Sequence, residues 1–378
     1  MNNKLVIFHY SPIEFYPPIL NLLDVLDEDG GLKVSIFTTY HGVKQLNTKS
    51  ETNNVTIYRL PYPKQNERKL LRIFKYIAYY IHAFSLVIWK RPKNVLYYES
   101  ISSLPALLYK KVSPGVRVFA HYHEYTSQQQ YQEEMKLVQI AHKIEKQNYN
   151  LLEWISHTNS VRLQKFAEDN NVFNKDVLHV LPNYPSKKWL RTSRRKDVIP
   201  FRLVYIGSLD LENMYFEQVC EWVEKQGGKF SLDVFSYNYK DSVLTYLKSL
   251  KPKFVKLMQG IDYYKIPGIL ADYNAGIVLY KGHSFNYIHN APNKLFEYLA
   301  CGLDVWFPEE LKGSYPYINE TSTPKVLKLD FTALNLLNTE DLVCRKNVHF
   351  VIPDFYAEDV YMRLISTLKE SAIVPLHE

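Results

Sequence analysis

"NAPNKLFEYLACGLDVWFP", residues 290–308, carries two apolar patterns in succession. Leu295, Phe296, Tyr298, Leu299 and Ala300 recur at helical spacing, and Gly302 suits the end of that helix. Leu303 to Phe307 then reads as a buried strand. A core helix feeding a core strand is the unit from which α/β folds are built. Lys294 and Glu297 sit in the first two turns of this apolar segment. Charge there is costly unless something polar faces it, which makes both residues candidates for gripping a polar ligand.

Outward from that stretch the rhythm repeats. In the first half, strand-like runs fall at 5–8, 34–38, 56–60, 95–98, 116–120, 153–157 and 177–181, with helical patterns at 18–27, 68–90, 129–149 and 160–170. The second half restarts with runs at 202–207, 231–236, 255–258, 276–280, 304–307 and 325–329. Strands alternating with helices predict parallel sheets. Between the halves lies SKKWLRTSRRKDVIP, a polar and basic linker ending at Pro200. The expected fold class is therefore α/β, with two Rossmann-like domains at 1–190 and 200–350 whose parallel sheets face an interdomain cleft. A last amphipathic pattern within 354–378 has no strand after it and is free to pack elsewhere. Open parallel sheets bind ligands beyond the carboxyl ends of their strands, so the loops after Phe8, Ala120, Ile206 and Tyr280 are the ones to inspect.

A chain of 378 residues is long enough for two domains, and 46% hydrophobic with 22% charged residues is globular. Cys220, Cys301 and Cys344 show no C-x-x-C spacing, so neither a disulfide framework nor a zinc site is expected, and a reducing cytoplasm fits. The longest uncharged apolar run, Tyr76 to Trp89, is shorter than a membrane span. The net charge of +7 is uneven: residues 1–198 hold 28 Lys+Arg against 17 Asp+Glu, and residues 199–378 hold 18 against 22. The basic half is the one to test against an anionic surface. Nucleic acid is not expected as a partner, because no recognised binding motif accompanies the charge.

Several loops carry chemistry. HYSPIEFYPP, after the first strand, contains no glycine, which disfavours dinucleotide and P-loop binding. Its Glu14 reads as a solvated carboxylate, and Asp27-Glu28-Asp29 reads as a charged helix end rather than a metal motif. In YIGSLD, Gly207 and Ser208 would offer backbone N–H groups to an anion beside a helix N-terminus, with Lys281 or Lys294 supplying charge. AHYHEYTS places His123 and Glu124 at a strand end, suited to proton or hydrogen-bond work. KLLRIFKYIAYYIHAFSLVIWKR, flanked by basic residues over 68–91, reads either as a buried helix or as one lying on an anionic membrane.

Pro292, Lys294, Glu297-Tyr298-Leu299-Ala300 and Gly302, followed by an apolar strand, resemble the signature of GT-B glycosyltransferases, particularly the family 4-like group. The two-domain layout and closing helix agree with it over nearly the whole chain. The resemblance implies that Glu297 binds the ribose hydroxyls of a nucleotide-sugar, while the helix N-terminus of Lys294, Leu295 and Phe296 faces the diphosphate. It implies contact between His123 and the transferred sugar, a base held near Gly260 and Ile261, and a final helix crossing back onto the first domain. His289 stands eight positions before Glu297, where retaining members often carry glutamate, and Asp304 replaces a usual proline.

These implications give an expected metal-independent glycosyltransferase that needs no cofactor. It would move sugar from a nucleotide-sugar donor to a glycan or lipid-linked acceptor in surface polysaccharide synthesis, in the cytoplasm at the inner face of a membrane. The stereochemistry leans to retention. Were it inverting, His123 or Glu124 would be the base. The rival readings are a nucleotide-sugar 2-epimerase of the same fold and a non-catalytic subunit of a polysaccharide-assembly complex.

Overall fold

The strand-like runs of the first half pair into one parallel sheet. The computed structural model describes residues 4–42, 52, 54–64, 66–191, 200–343 and 349–370; Cys344 and most of the basic linker lie outside them. The described chain divides into two compact units, one running to Pro182 and resuming at Ala357, the other spanning Asn183–Tyr356.

In the first unit the elements run β1 (Lys4–His9), α1 (Pro17–Asp29), β2 (Lys33–Tyr40), β3 (Val55–Pro61), α2 (Lys69–Lys90), β4 (Asn94–Tyr98) and α3 (Ser103–Val112). They continue with β5 (Arg117–Tyr122), α4 (Gln128–Glu133), α5 (Lys136–Lys146), β6 (Trp154–His157), α6 (Ser160–Asn170) and β7 (Leu178–Val180). The strand order is β3-β2-β1-β4-β5-β6-β7, parallel throughout. Leu5 to Phe8 are wholly buried, as a strand covered on both faces requires. Prolines 17 and 18 open α1, and Gly30 closes it in the left-handed region at φ 64°. Asp29 at that end pairs with Lys369 at 2.5 Å, which ties the end of α1 to the closing helix of the same unit. The helical pattern at 129–149 is broken by extended Glu134, which separates α4 from α5.

The second unit contains β8 (Phe201–Ile206), α7 (Phe216–Lys225), β9 (Phe230–Ser236), α8 (Asp241–Leu250), β10 (Val255–Gln259), α9 (Ile266–Leu270), β11 (Ala275–Ile277) and α10 (Phe285–Ile288). It continues with α11 (Asn293–Ala300), β12 (Asp304–Pro308), β13 (Ser322–Thr323), β14 (Val326–Leu329), α12 (Thr339–Val343) and β15 (His349–Phe350). Its main sheet has the order β10-β9-β8-β11-β12-β14, and the short β13 and β15 pair separately. That small pair escaped the sequence reading, because two residues per strand carry no periodicity. Asp304 is buried and accepts the Lys325 N–H at 2.8 Å, so this carboxylate ties the start of β12 to the start of β14.

The chain changes unit earlier than its linker composition suggests. Ser186 to Trp189 form a turn on the second unit, where the Trp189 ring lies 4.8 Å from that of Tyr263 and Arg191 N–H donates to the Ala300 carbonyl. The closing helix α13 (Ala357–Lys369) belongs to the first unit. It buries Tyr361, Leu364, Ile365 and Leu368, and the Tyr361 hydroxyl donates to the Pro18 carbonyl at 3.0 Å. Arg117 donates to the carbonyls of Thr367 and Glu370, placing a cation at the helix's negative end.

Candidate functional site

In each sheet the strand order reverses beside the first strand, the place where open parallel sheets bind ligands beyond their carboxyl ends. In the second unit the reversal lies between β8 and β11. Gly207 follows β8, Tyr280 follows β11 by three residues, and α11 opens just beyond.

Gly276 lets α11 pack tightly on the sheet: a Cβ there would meet the Tyr298 ring at 2.0 Å. Held so close, the Tyr298 hydroxyl accepts the Ile206 N–H at 3.1 Å at the end of β8. Lys294, one turn earlier, then reaches the turn after β8. A Cβ on Gly207 would lie 2.9 Å from the Lys294 ammonium, and the φ of Gly207, +153°, favours glycine. The ammonium donates to the Tyr280 hydroxyl at 3.0 Å and lies 5.6 Å from the Tyr205 ring centre. Burial works against its charge, but Tyr280 and the Glu297 carboxylate more than offset this and hold its pKa above the ordinary lysine value.

Glu297 is only 7% exposed. Burial pushes its carboxyl up to about 7, with Lys294 pulling it partway back. Among the described residues no side chain or backbone group within hydrogen-bond or ion-pair distance engages that carboxylate. Pro292 offers no side-chain cap to α11, and its carbonyl takes the Leu295 N–H at 2.9 Å. The arrangement is an uncapped helix start, an ammonium and a buried acid within one turn of each other.

The other expected residues fall as follows. The Gly207 N–H is already spent on the Phe235 carbonyl, and α7 begins only at Phe216, so the Gly207–Ser208 turn is not a helix N-terminus. This corrects the reading of that turn as an anion site and leaves the start of α11, which the resemblance also implied, as the place for amide donors. Ser208 is exposed, and its carbonyl accepts from Tyr205 at 2.8 Å. Lys281 donates to the carbonyls of Leu211 and Glu212, which fixes its ammonium on that turn. Leu295 is core and its N–H is spent on the Pro292 carbonyl, while Phe296 packs edge-on to Tyr184 and Tyr317, so neither side chain serves a polar ligand. His289 ends α10 with its ring 4.6 Å from Phe285, and its backbone crowds Gly313. Gly260 lies under the Tyr237 ring, whose hydroxyl donates to Asp262 at 3.1 Å, with Ile261 half-buried between.

In the first unit the reversal lies between β1 and β4. His9 ends β1, Glu99 follows β4, and His123 follows β5. The His123 ring stacks on Tyr98 at 5.2 Å and lies 5.7 Å from His9 and 5.1 Å from His121. Its Nε2 is buried without a hydrogen-bond partner among the described residues. Burial, then the neighbouring histidines, hold its pKa well below the ordinary value. His123 is thus a neutral imidazole with one open ring nitrogen. Its backbone is clamped: the N–H donates to the Glu99 carboxylate at 2.7 Å, and the carbonyl accepts from Arg162 at 2.9 Å. Glu124, one residue on, is exposed. Glu14 is engaged in an ion pair with Arg59, which corrects its reading as a solvated loop acid.

Glu99 escaped the sequence reading. It adopts φ +59° although it is not glycine, and burial pushes its carboxyl up to about 8. The signal was present: an acid directly after a buried strand, one position beyond VLYY.

No family model matches the sequence, and no curated protein matches it. Among solved structures, the chain is similar to sucrose-phosphate synthase from Thermosynechococcus elongatus at 12% identity and TM-score 0.64, covering 97% of this chain and 96% of that one. It is similar to the lipopolysaccharide outer core galactosyltransferase WaaB at 13% identity and TM-score 0.59, covering 96% and 99%. It is also similar to a putative UDP-N-acetylglucosamine 2-epimerase from Listeria monocytogenes at 11% identity and TM-score 0.61, covering 98% and 96%. Identities this low speak to architecture alone. The chain has the GT-B fold, an α/β fold shared by glycosyltransferases and UDP-GlcNAc 2-epimerases.

Proposed function

We propose that the protein is a glycosyltransferase that takes a sugar from a nucleotide-sugar and moves it to a glycan or lipid-linked acceptor, with no metal in the reaction. The observation that carries this reading is Glu297: a buried carboxylate without a partner among the described residues, beside Lys294 and an uncapped helix start. A carboxylate this far from water is costly to ionise. Two ribose hydroxyls donating to it would remove that cost. The first-turn amides of α11 and the Lys294 ammonium suit a diphosphate, and would stabilise the charge that develops on it as the sugar departs.

His123 fits the sugar end of the reaction as a hydrogen-bonding group. Its depressed pKa makes it a weak proton acceptor, which favours a route in which the leaving phosphate takes the acceptor's proton and configuration is retained. The same α11 amides and Lys294 ammonium supply the positive charge that a metal cation otherwise would.

A second reading is a nucleotide-sugar 2-epimerase, favoured by the equally extensive likeness to the Listeria structure. Product analysis separates the two. Incubation with a nucleotide-sugar and no acceptor gives no new sugar if the protein is a transferase, and gives the 2-epimeric nucleotide-sugar, or with water the free 2-epimer and nucleoside diphosphate, if it is an epimerase. Appearance of glycosylated acceptor only when acceptor is added supports transfer. Release of epimer from donor and water overturns it.

A further inference from the structure

Helix α2 is a crossover between β3 and β4, which lie in the same parallel sheet. Both its ends are therefore tied to one sheet edge or the other, and Lys4 at the start of β1 donates to the Lys90 carbonyl at 3.2 Å. Although α2 is long and apolar enough to cross a bilayer, a spanning helix would pull these strands to opposite sides of the membrane. Its inner face, Tyr79, Ala83, Leu86 and Val87, is buried in the first unit.

The outer face is apolar and, among the described residues, uncovered. Leu70 is 81% exposed, Phe74 66%, Ile77 50%, Ile81 58% and Ile88 44%. These positions recur at i, i+4, i+7, i+11 and i+18, which places them on one narrow stripe. A soluble helix places polar residues there. Exposed cations stand at both ends, Arg68 and Lys69 before the stripe, Arg91 and Lys93 after it. Trp89, 68% exposed, carries the Lys90 ammonium 4.2 Å from its ring centre. Lys69 to Lys90 contain no acidic residue.

We infer that this stripe lies in the interfacial layer of an anionic bilayer, with α2 parallel to the membrane plane. Charge selects that occupant. A second copy of the chain would bring the same basic ends against each other about a two-fold axis, with no carboxylate on either helix to pair them. Acidic headgroups meet the cations at both ends, while the apolar stripe enters the acyl boundary and Trp89 takes the level between.

The placement bears on the acceptor, a step that rests on the transferase reading. The first turn of α2 follows the carboxyl end of β3, on the sheet edge that also carries His9, Glu99 and His123. The Tyr76 and Tyr79 rings lie 5.3 and 4.9 Å from Tyr10, the residue after His9. Seating Leu70 and Phe74 in the membrane thus holds the histidine cluster near the headgroup plane, where the sugar end of a lipid-linked acceptor would sit.

Vesicle flotation of the full chain tests this. The protein is expected to float with phosphatidylcholine–phosphatidylglycerol vesicles, to float far less with phosphatidylcholine alone, and to be released by salt. Ile77→Glu/Ile81→Glu should lower anionic-vesicle binding at least about tenfold, since it removes two aliphatic side chains that would enter the acyl boundary and adds charge, with an unchanged thermal melt because both are exposed in the free protein. The same variant should bind nucleotide-sugar as the wild type does, so failure of the membrane inference is distinguishable from failure of the transferase reading. Absence of wild-type flotation on anionic vesicles overturns the inference. So does a dimer in sedimentation velocity that the same substitutions dissociate.

Discussion

Glu297 and Glu99 are both carboxyls held uncharged-leaning by burial, yet their surroundings differ. Glu99 is spoken for: it accepts the His123 N–H and fixes the imidazole from behind. Glu99→Ala would leave that buried N–H unsatisfied, costing about 1–3 kcal/mol of stability, whereas Glu99→Gln keeps an acceptor and should recover most of it; chemical denaturation measures both. Glu297 has no such partner, and its role in the proposal requires the ionised form. With its pKa near 7 in the free protein, nucleotide-sugar affinity should rise as pH increases from 6 to about 8 and then level off. Glu297→Gln should flatten that profile. A profile identical in wild type and variant would show that this carboxyl does not titrate with binding. Lys294 and Glu297 stood out in the sequence because charge interrupts an apolar helix. Glu99 did not, since a lone acid after a strand is common and its unusual backbone is invisible without coordinates.

At the scale of elements, the site depends on how closely α11 lies on β11. Gly276 permits the contact, Tyr298 uses it to anchor the end of β8, and Lys294 then reaches Gly207. Gly276→Ala would drive a methyl into the Tyr298 ring, costing on the order of 1–3 kcal/mol by overpacking and withdrawing Lys294 from the turn. Calorimetry should show weaker nucleotide-sugar binding together with a lower melting temperature; unchanged affinity would show that the α11 position is not set by this contact. The helix and both flanking strands were legible from apolar periodicity. The fate of the Gly207 N–H was not: Gly-Ser after a strand reads as an anion turn, but the sheet extends far enough to consume that N–H. A strand's last hydrogen bond depends on its neighbour's length, which one strand's sequence does not reveal.

For the molecule as a whole, alternation of strand and helix made both parallel sheets readable, while the point where the chain changes unit was hidden, because Trp189 packs as core despite its basic neighbours. The closing helix α13 completes the first unit, so Leu364→Ala should destabilise it by about 2–5 kcal/mol in a denaturant melt. The same unit buries His9, pulled down to about 4, His121, down to about 3, and His123 and His157, held well below the ordinary value. Groups with depressed folded pKa values contribute stability above about 6.5 that is lost as pH falls toward those values. Glu99, raised to about 8, and Glu297, raised to about 7, act in the opposite sense but are outnumbered. The melting temperature should therefore fall steadily from pH 7 to pH 4.5, and a flat profile would mean that these histidines are not kept neutral. The central claim is that Glu297 receives a nucleotide-sugar. Isothermal titration of wild type and Glu297→Ala with a panel of nucleotide-sugars tests it most directly. The account predicts that at least one donor binds the wild type and that its affinity drops by about 1–3 kcal/mol in the variant; equal affinity in both proteins, or no donor bound by the wild type, would contradict it.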